Sequence, residues 1–109
     1  MKDSRQIIPL FDLNYGQEEE EAVLRVLRRK WLTMGEEIDA LESEFASFCG
    51  VRHALAVSSC TAALHLANIA SGVQPGFEVI CPSLTFAATV NAVIYAGGLP
   101  VFADITSED

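Results

Sequence analysis

Residues 56–65 read Ala-Val-Ser-Ser-Cys-Thr-Ala-Ala-Leu-His, an apolar run that stops at two serines and turns at once into helix-like spacing. Small hydroxyl-bearing residues at such a junction suit one kind of chemistry. The first N–H groups of a helix have no acceptor inside the helix, and the positive end of its dipole lies there, so the junction attracts an anion such as phosphate. Small side chains over Ser58–Ala62 let the anion approach the backbone, and Ser or Thr hydroxyls add donors. The same residues also make an ordinary helix cap. On the local pattern the two readings stand level.

A second junction, Pro82-Ser83-Leu84-Thr85-Phe86-Ala87-Ala88-Thr89, repeats the arrangement and puts an aromatic, Phe86, where its face is able to cover a flat ring. Taken alone, a phenylalanine there reads more readily as core packing. Cys60 at a helix start has the position of a reactive thiol. A nucleophile needs a positioned base, however, and no motif ties His53 or His65 to it. His65 falls on an apolar helix face and reads as a packed histidine.

The elements that must position these residues follow from periodicity. Residues 1–16 look extended, with Pro9 and a turn-like Asn14-Tyr15-Gly16. Gln17–Lys30 is expected to be helical: Ala22, Val23, Val26, Leu27 and Trp31 recur at helical spacing, acids lead and bases follow. Leu32–Gly35 breaks the pattern as a loop. Glu36–Cys49 is a second helix, with Ile38, Leu41, Phe45 and Phe48 on one stripe and Gly50 closing it. A strand over Ala54–Val57, a helix to about Ala70, a strand over Val79–Cys81, a helix over Phe86–Ala96 and a strand over Val101–Ile105 complete the chain. Strand–helix alternation of this kind predicts an α/β fold with a parallel sheet flanked by helices. Three strands leave sheet edges without cover, so the chain is expected to be part of a longer protein.

Composition narrows the function. The chain has 109 residues, half of them hydrophobic, and a formal net charge of −8. With only 7 Lys and Arg it has no basic face for nucleic acid or an anionic membrane. The run Glu18–Glu21 reads as a solvated helix start. Three cysteines with no CxxC pair argue against a disulfide framework and a zinc site. The first residues lack the apolar core of a signal peptide, and no apolar run reaches the roughly 18 residues of a membrane span. The expectation is a soluble, cytoplasmic protein. No GxGxxG follows a candidate strand, which disfavours a nicotinamide site.

Together TMGEEIDALESEF, GVRHALAVSSCTAALHLA and GFEVICPSLTFAATVNAVIYAGGLPVFADI carry a resemblance to the N-terminal third of the DegT/DnrJ/EryC1/StrS sugar aminotransferases. These are fold-type-I enzymes that use pyridoxal 5′-phosphate. The resemblance implies that residues 1–35 are an N-terminal arm, first helix and active-site loop, and that 36–109 begin the large cofactor-binding domain. It implies that Ser59, Cys60, Thr61 and Ala62 hold the cofactor phosphate and that Phe86 stacks on its ring. It also implies that Trp31, Thr33 and Gly35 line the sugar site. The family usually has Gly where this chain has Cys60, and a side chain there is tolerated if its backbone φ is negative. The expected reaction moves an amino group from an amino acid, usually glutamate, to a nucleotide-linked keto-sugar, in a homodimer with active sites at the subunit interface. Cell-surface polysaccharide and antibiotic sugar synthesis both fit. The Schiff-base lysine of the family comes well downstream, and Lys2 and Lys30 match no such motif, so no catalytic residue is expected within these residues. Some family members carry histidine in its place and dehydrate the sugar instead. From another class, a non-catalytic domain that binds a phosphate or a partner remains open.

Overall fold

The computed structural model describes residues 11–105, which fall into two compact units divided between Arg52 and His53. Pro9, Lys2 and the other expectations for residues 1–10 lie outside the described residues, as do residues 106–109.

In the first unit, residues 11–16 carry no regular element and α1 spans Gln17–Arg29. The Gly16 N–H donates to Glu19 Oε2 at 2.7 Å, so an acid in the first turn satisfies a donor at the helix start. That bond holds the Glu19 carboxyl below its usual value of 4.5. Glu18, Glu19 and Glu20 at one end and Arg28 and Arg29 at the other complement the dipole as expected. The helix stops one residue sooner than the periodicity suggests. Lys30 adopts φ 58°, and its N–H donates to the Leu27 carbonyl. A left-handed residue with a side chain costs about 1 kcal/mol, so Lys30 closes α1 at a cost that glycine would avoid. Helix α2 spans Glu36–Cys49, as its pattern indicates, and Gly50 closes it at φ 67°. Of its apolar stripe, Leu41, Phe45 and Phe48 are exposed and Ile38 is half-buried.

In the second unit, α3 spans Cys60–Ala70, β1 Glu78–Pro82, α4 Ala87–Tyr95 and β2 Leu99–Ala103. The strand expected over Ala54–Val57 is not formed, and the sheet is the parallel pair β1–β2. A strand is a property of a ladder rather than of a segment, and two alanines give Ala54–Val57 little intrinsic strand preference. The last strand begins two residues earlier than expected. Gly97, at φ 84°, turns the chain out of α4, and the Leu99 N–H at once donates to Phe77 O at 2.8 Å. The ladder therefore starts as soon as the helix ends. It stops before Ile105, whose N–H is taken by the Asp104 carboxylate.

The register pairs Val79 with Pro100 and Cys81 with Phe102 on one face, and Ile80 with Val101 on the other. Helix α4 packs on the sheet and α3 packs on α4. Cys81, Ala88, Ala92 and Val93 are the buried residues of this unit's core. Small side chains on α4 let it lie close to the strands. Gly98 completes the contact, because a Cβ added there would stand 2.7 Å from Val73 Cγ1 and 3.0 Å from Val93 Cγ1.

Valine is stiff about χ1 and cannot swing aside. Gly98→Ala is therefore expected to destabilise the chain by about 1–3 kcal/mol, read as a lower urea midpoint, and Val73→Ala in the same chain recovers part of it. An unchanged midpoint for Gly98→Ala contradicts the packing. For Glu19 the sign is also fixed. With its folded pKa below 4.5, its contribution to α1 is fully present above the unfolded value and lost as pH falls through the folded one. An NMR titration of the Glu19 carboxyl with a midpoint at or above 4.5 contradicts the Gly16 bond.

Candidate functional site

The candidate phosphate turn lies where the chain enters α3. Ser59 is extended, at φ −163° and ψ 158°, and its Oγ accepts from the Ala62 N–H at 3.2 Å. The Ala63 N–H donates to the Ser59 carbonyl. Cys60 and Thr61 are the first two residues of the helix, whose N–H groups have no intrahelical acceptor. Since Ser59 Oγ is already an acceptor, its O–H proton is left to donate outward. The condition set for Cys60 is met: Lys30 is the non-glycine residue with positive φ among the described residues, so Cys60 carries its side chain without strain. The Cys60 thiol is exposed and free. His65 meets the ring of Tyr95 on α4 edge-on, at 5.8 Å between centroids, and so packs as a structural histidine.

Phe86 is the residue before α4, extended at φ −71° and ψ 142°. It is 80% exposed and contributes nothing to the core, contrary to what an isolated phenylalanine suggests. Its apolar ring faces solvent at a helix N-terminus, beside Thr85, whose hydroxyl pairs with that of Thr89 at 2.9 Å. The two candidate turns thus stand at the N-termini of two helices that pack on each other.

The third group belongs to the first unit. Trp31, Thr33 and Gly35 line one cavity of about 620 Å³, together with Val26, Arg29 and Ile38. The Trp31 indole N–H donates to the Met34 carbonyl at 2.7 Å, which folds the loop back on itself. Gly35 is extended, so space and not φ demands glycine there: a Cβ would come 2.9 Å from Trp31 Cδ1 and 3.1 Å from its Nε1. Across the loop, Arg29 Nη1 donates to Glu36 Oε2 at 2.8 Å and to Glu37 Oε1 at 3.2 Å. These three charged residues escaped the reading of the sequence. Their signal was a base in the last turn of one helix and two acids in the first turn of the next, seven and eight residues on. Being exposed, each pair contributes little on its own, roughly 0–1 kcal/mol.

The parallel strand–helix–strand unit β1–α4–β2, with α3 packed on α4, is an α/β arrangement. The sequence matches the DegT/DnrJ/EryC1/StrS aminotransferase family over residues 14–109, and the chain belongs to that family. It is 51% identical over 90 residues to the spore coat polysaccharide biosynthesis protein SpsC of Bacillus subtilis, covering 83% of this chain and 23% of that protein. It is 46% identical over 87 residues to the GDP-perosamine synthase of Caulobacter vibrioides, covering 79% of this chain and 24% of that enzyme. In structure it is similar to a sugar aminotransferase of Streptococcus pneumoniae, solved in forms with PLP and with PMP. The TM-score is 0.85 at 30% identity, over 94% of this chain and 26% of that one. The expected α/β fold class is borne out by that likeness. The chain spans about a quarter of the length of these relatives. Among the described residues no helix is long and apolar enough to cross a membrane.

Gly35→Ala is expected to push the indole off Met34 and open the loop. Trp31 is the one tryptophan of the chain, so its indole N–H resonance and its fluorescence report the change directly. An indole resonance that stays in place in Gly35→Ala contradicts the close contact.

Proposed function

We propose that this chain is part of a pyridoxal-phosphate-dependent sugar aminotransferase and supplies the phosphate cradle and one face of the cofactor ring. The observation that carries the reading is the α3 start. There Ser59 caps the helix with its oxygen, Cys60 takes a side chain at negative φ, and the Cys60 and Thr61 N–H groups have no acceptor within the helix. A dianionic phosphate gains from those donors and from the helix dipole together. The phosphate rests on the Ser59–Ala62 turn, with the Cys60 and Thr61 N–H groups and the Ser59 O–H as donors, while the Ala62 N–H stays with Ser59 Oγ. The Phe86 ring, held at the start of α4 and free of core contacts, covers one face of the pyridine ring.

When bound, the cofactor supplies the carbonyl that takes up an amino group and the ring that draws off electrons. The chain's own residues do the positioning. The α3 start fixes the phosphate, and Phe86 limits tilting of the ring and keeps water from that face; Trp31, Thr33 and Gly35 of the first unit are assigned to the sugar by resemblance. The amino donor is an amino acid, glutamate by resemblance, and the acceptor a nucleotide-linked keto-sugar. The name of the Caulobacter relative, a GDP-perosamine synthase, is in keeping with that class. Residues 1–35 serve as arm, first helix and substrate loop, and 36–109 as part of the large domain. The complete enzyme works in the cytoplasm as a homodimer. Neither Lys2 nor Lys30 matches a Schiff-base motif, and these residues alone do not transaminate.

Calorimetric titration with pyridoxamine phosphate tests the cradle without any aldehyde to react at lysines. Saturable binding is expected, with pyridoxamine, which lacks the phosphate, weaker by tenfold or more at the order-of-magnitude level. Phe86→Ala is expected to weaken binding by roughly two- to tenfold, the range of one aromatic stacking contact. Equal binding of the two vitamers contradicts the cradle, and turnover of glutamate with a keto-sugar by the purified chain contradicts the division of labour.

A further inference from the structure

Three contacts close the loop between α1 and α2, one inside another. Innermost, the Trp31 indole N–H donates to the Met34 carbonyl at 2.7 Å. Around it, Gly35 lies so near the indole that a Cβ would stand 2.9 Å from Cδ1. Outermost, Arg29 Nη1 reaches Glu36 Oε2 at 2.8 Å and Glu37 Oε1 at 3.2 Å. Helix packing does not do this work. The elements that pack on one another are β1–β2, α3–α4, α4–β2 and α4–β1, and none of these pairs joins α1 to α2 among the described residues. Arg29, Glu36 and Glu37 line the same cavity as Trp31, Thr33 and Gly35.

We infer that Arg29 is the positioning residue of this loop: by holding Glu36 and Glu37 it sets the Trp31 ring as a wall of the cavity, and it makes that uncharged wall sensitive to ionic strength. The physical reason is loop closure. Bringing residues 29 and 36 together shortens the stretch that the inner contacts still have to close, so each inner contact costs less entropy once the outer one is made. Gly35 adjoins Glu36 and is tied to α2 through its carbonyl, which accepts from the Ile38 N–H at 2.9 Å. A pull on Glu36 is therefore a pull on the glycine that fits against the indole. The Arg29 and Glu37 side chains are each 48% exposed and that of Glu36 is 83% exposed, so salt screens the outer contact. The inner bond joins two neutral groups that salt hardly screens. One nitrogen makes both outer contacts, so the guanidinium fork is not used and a single ammonium is able to stand in for it. The bearing on substrate rests on the reading of Trp31, Thr33 and Gly35 as the sugar side, whereas the coupling of Arg29 to Trp31 does not.

The test follows exchange of the Trp31 indole proton with water by NMR in the free full-length chain, at low salt and at about 1 M sodium chloride, where screening acts within a few ångströms. Salt is expected to speed exchange in the unsubstituted chain. Arg29→Gln speeds it by roughly two- to tenfold at low salt, the range of two exposed ion pairs, and removes the salt response. Arg29→Lys keeps both the slow exchange and the salt response. Glu36→Gln together with Glu37→Gln reproduces Arg29→Gln, and adding Arg29→Gln to that pair changes nothing further, as expected of residues that act as one contact. Arg28→Gln, at a neighbouring exposed base, leaves the indole as it was. The urea midpoint of each variant separates an opened loop from an unfolded chain. An indole whose exchange ignores Arg29→Gln, a salt response that survives it, or effects of the arginine and glutamate substitutions that simply add would each overturn the inference. No sugar or cofactor enters the measurement, so a chain that binds neither still decides it.

Discussion

Helix α4 lies against the β1–β2 pair because its inward side is made of small residues. Ala88 and Ala92 bring the helix axis close, Val93 fills the gap, and Gly98 lets the following strand pass beneath without a Cβ. The consequences run outward from that contact. Close approach fixes where α4 begins, and so where Phe86 stands. Packing of α3 on α4 fixes where α3 begins, and so where Ser59, Cys60 and Thr61 present their backbone. Interiors tolerate little change in volume, so a side chain added under α4 would be felt at both turns although it touches neither.

The loop in the first unit is organised by a different device. Among the described residues of this unit, Ala46 of α2 is the buried one. Order comes instead from a single indole hydrogen bond, a glycine that makes room for the ring, and an arginine shared by two carboxylates. Small polar contacts of this sort define a shape without contributing much stability.

Helix α2 was legible to the residue because its start, stripe and closing glycine all agree. The position of the two candidate turns at helix starts was legible for a similar reason: each combines an apolar strand-like run, hydroxyl residues and a helix pattern. Other features depend on partners that lie far along the chain. Ala54–Val57 has the apolar look of a strand but not the ladder, and β2 begins early because Phe77 O meets Leu99 N–H. Lys30 at φ 58° shows no signal in its residue type. Phe86 misled in the other direction, since residue type says core and the structure leaves its ring exposed.

The central claim is that the backbone at the start of α3 holds phosphate. Amide resonances of Cys60 and Thr61, followed by NMR during addition of inorganic phosphate, test it most directly. The account predicts saturable downfield shifts at those two amides, with little change at the start of α1, where Glu19 already occupies the Gly16 donor. Amides at Cys60 and Thr61 that do not move, or that move no more than those of α1, would contradict it.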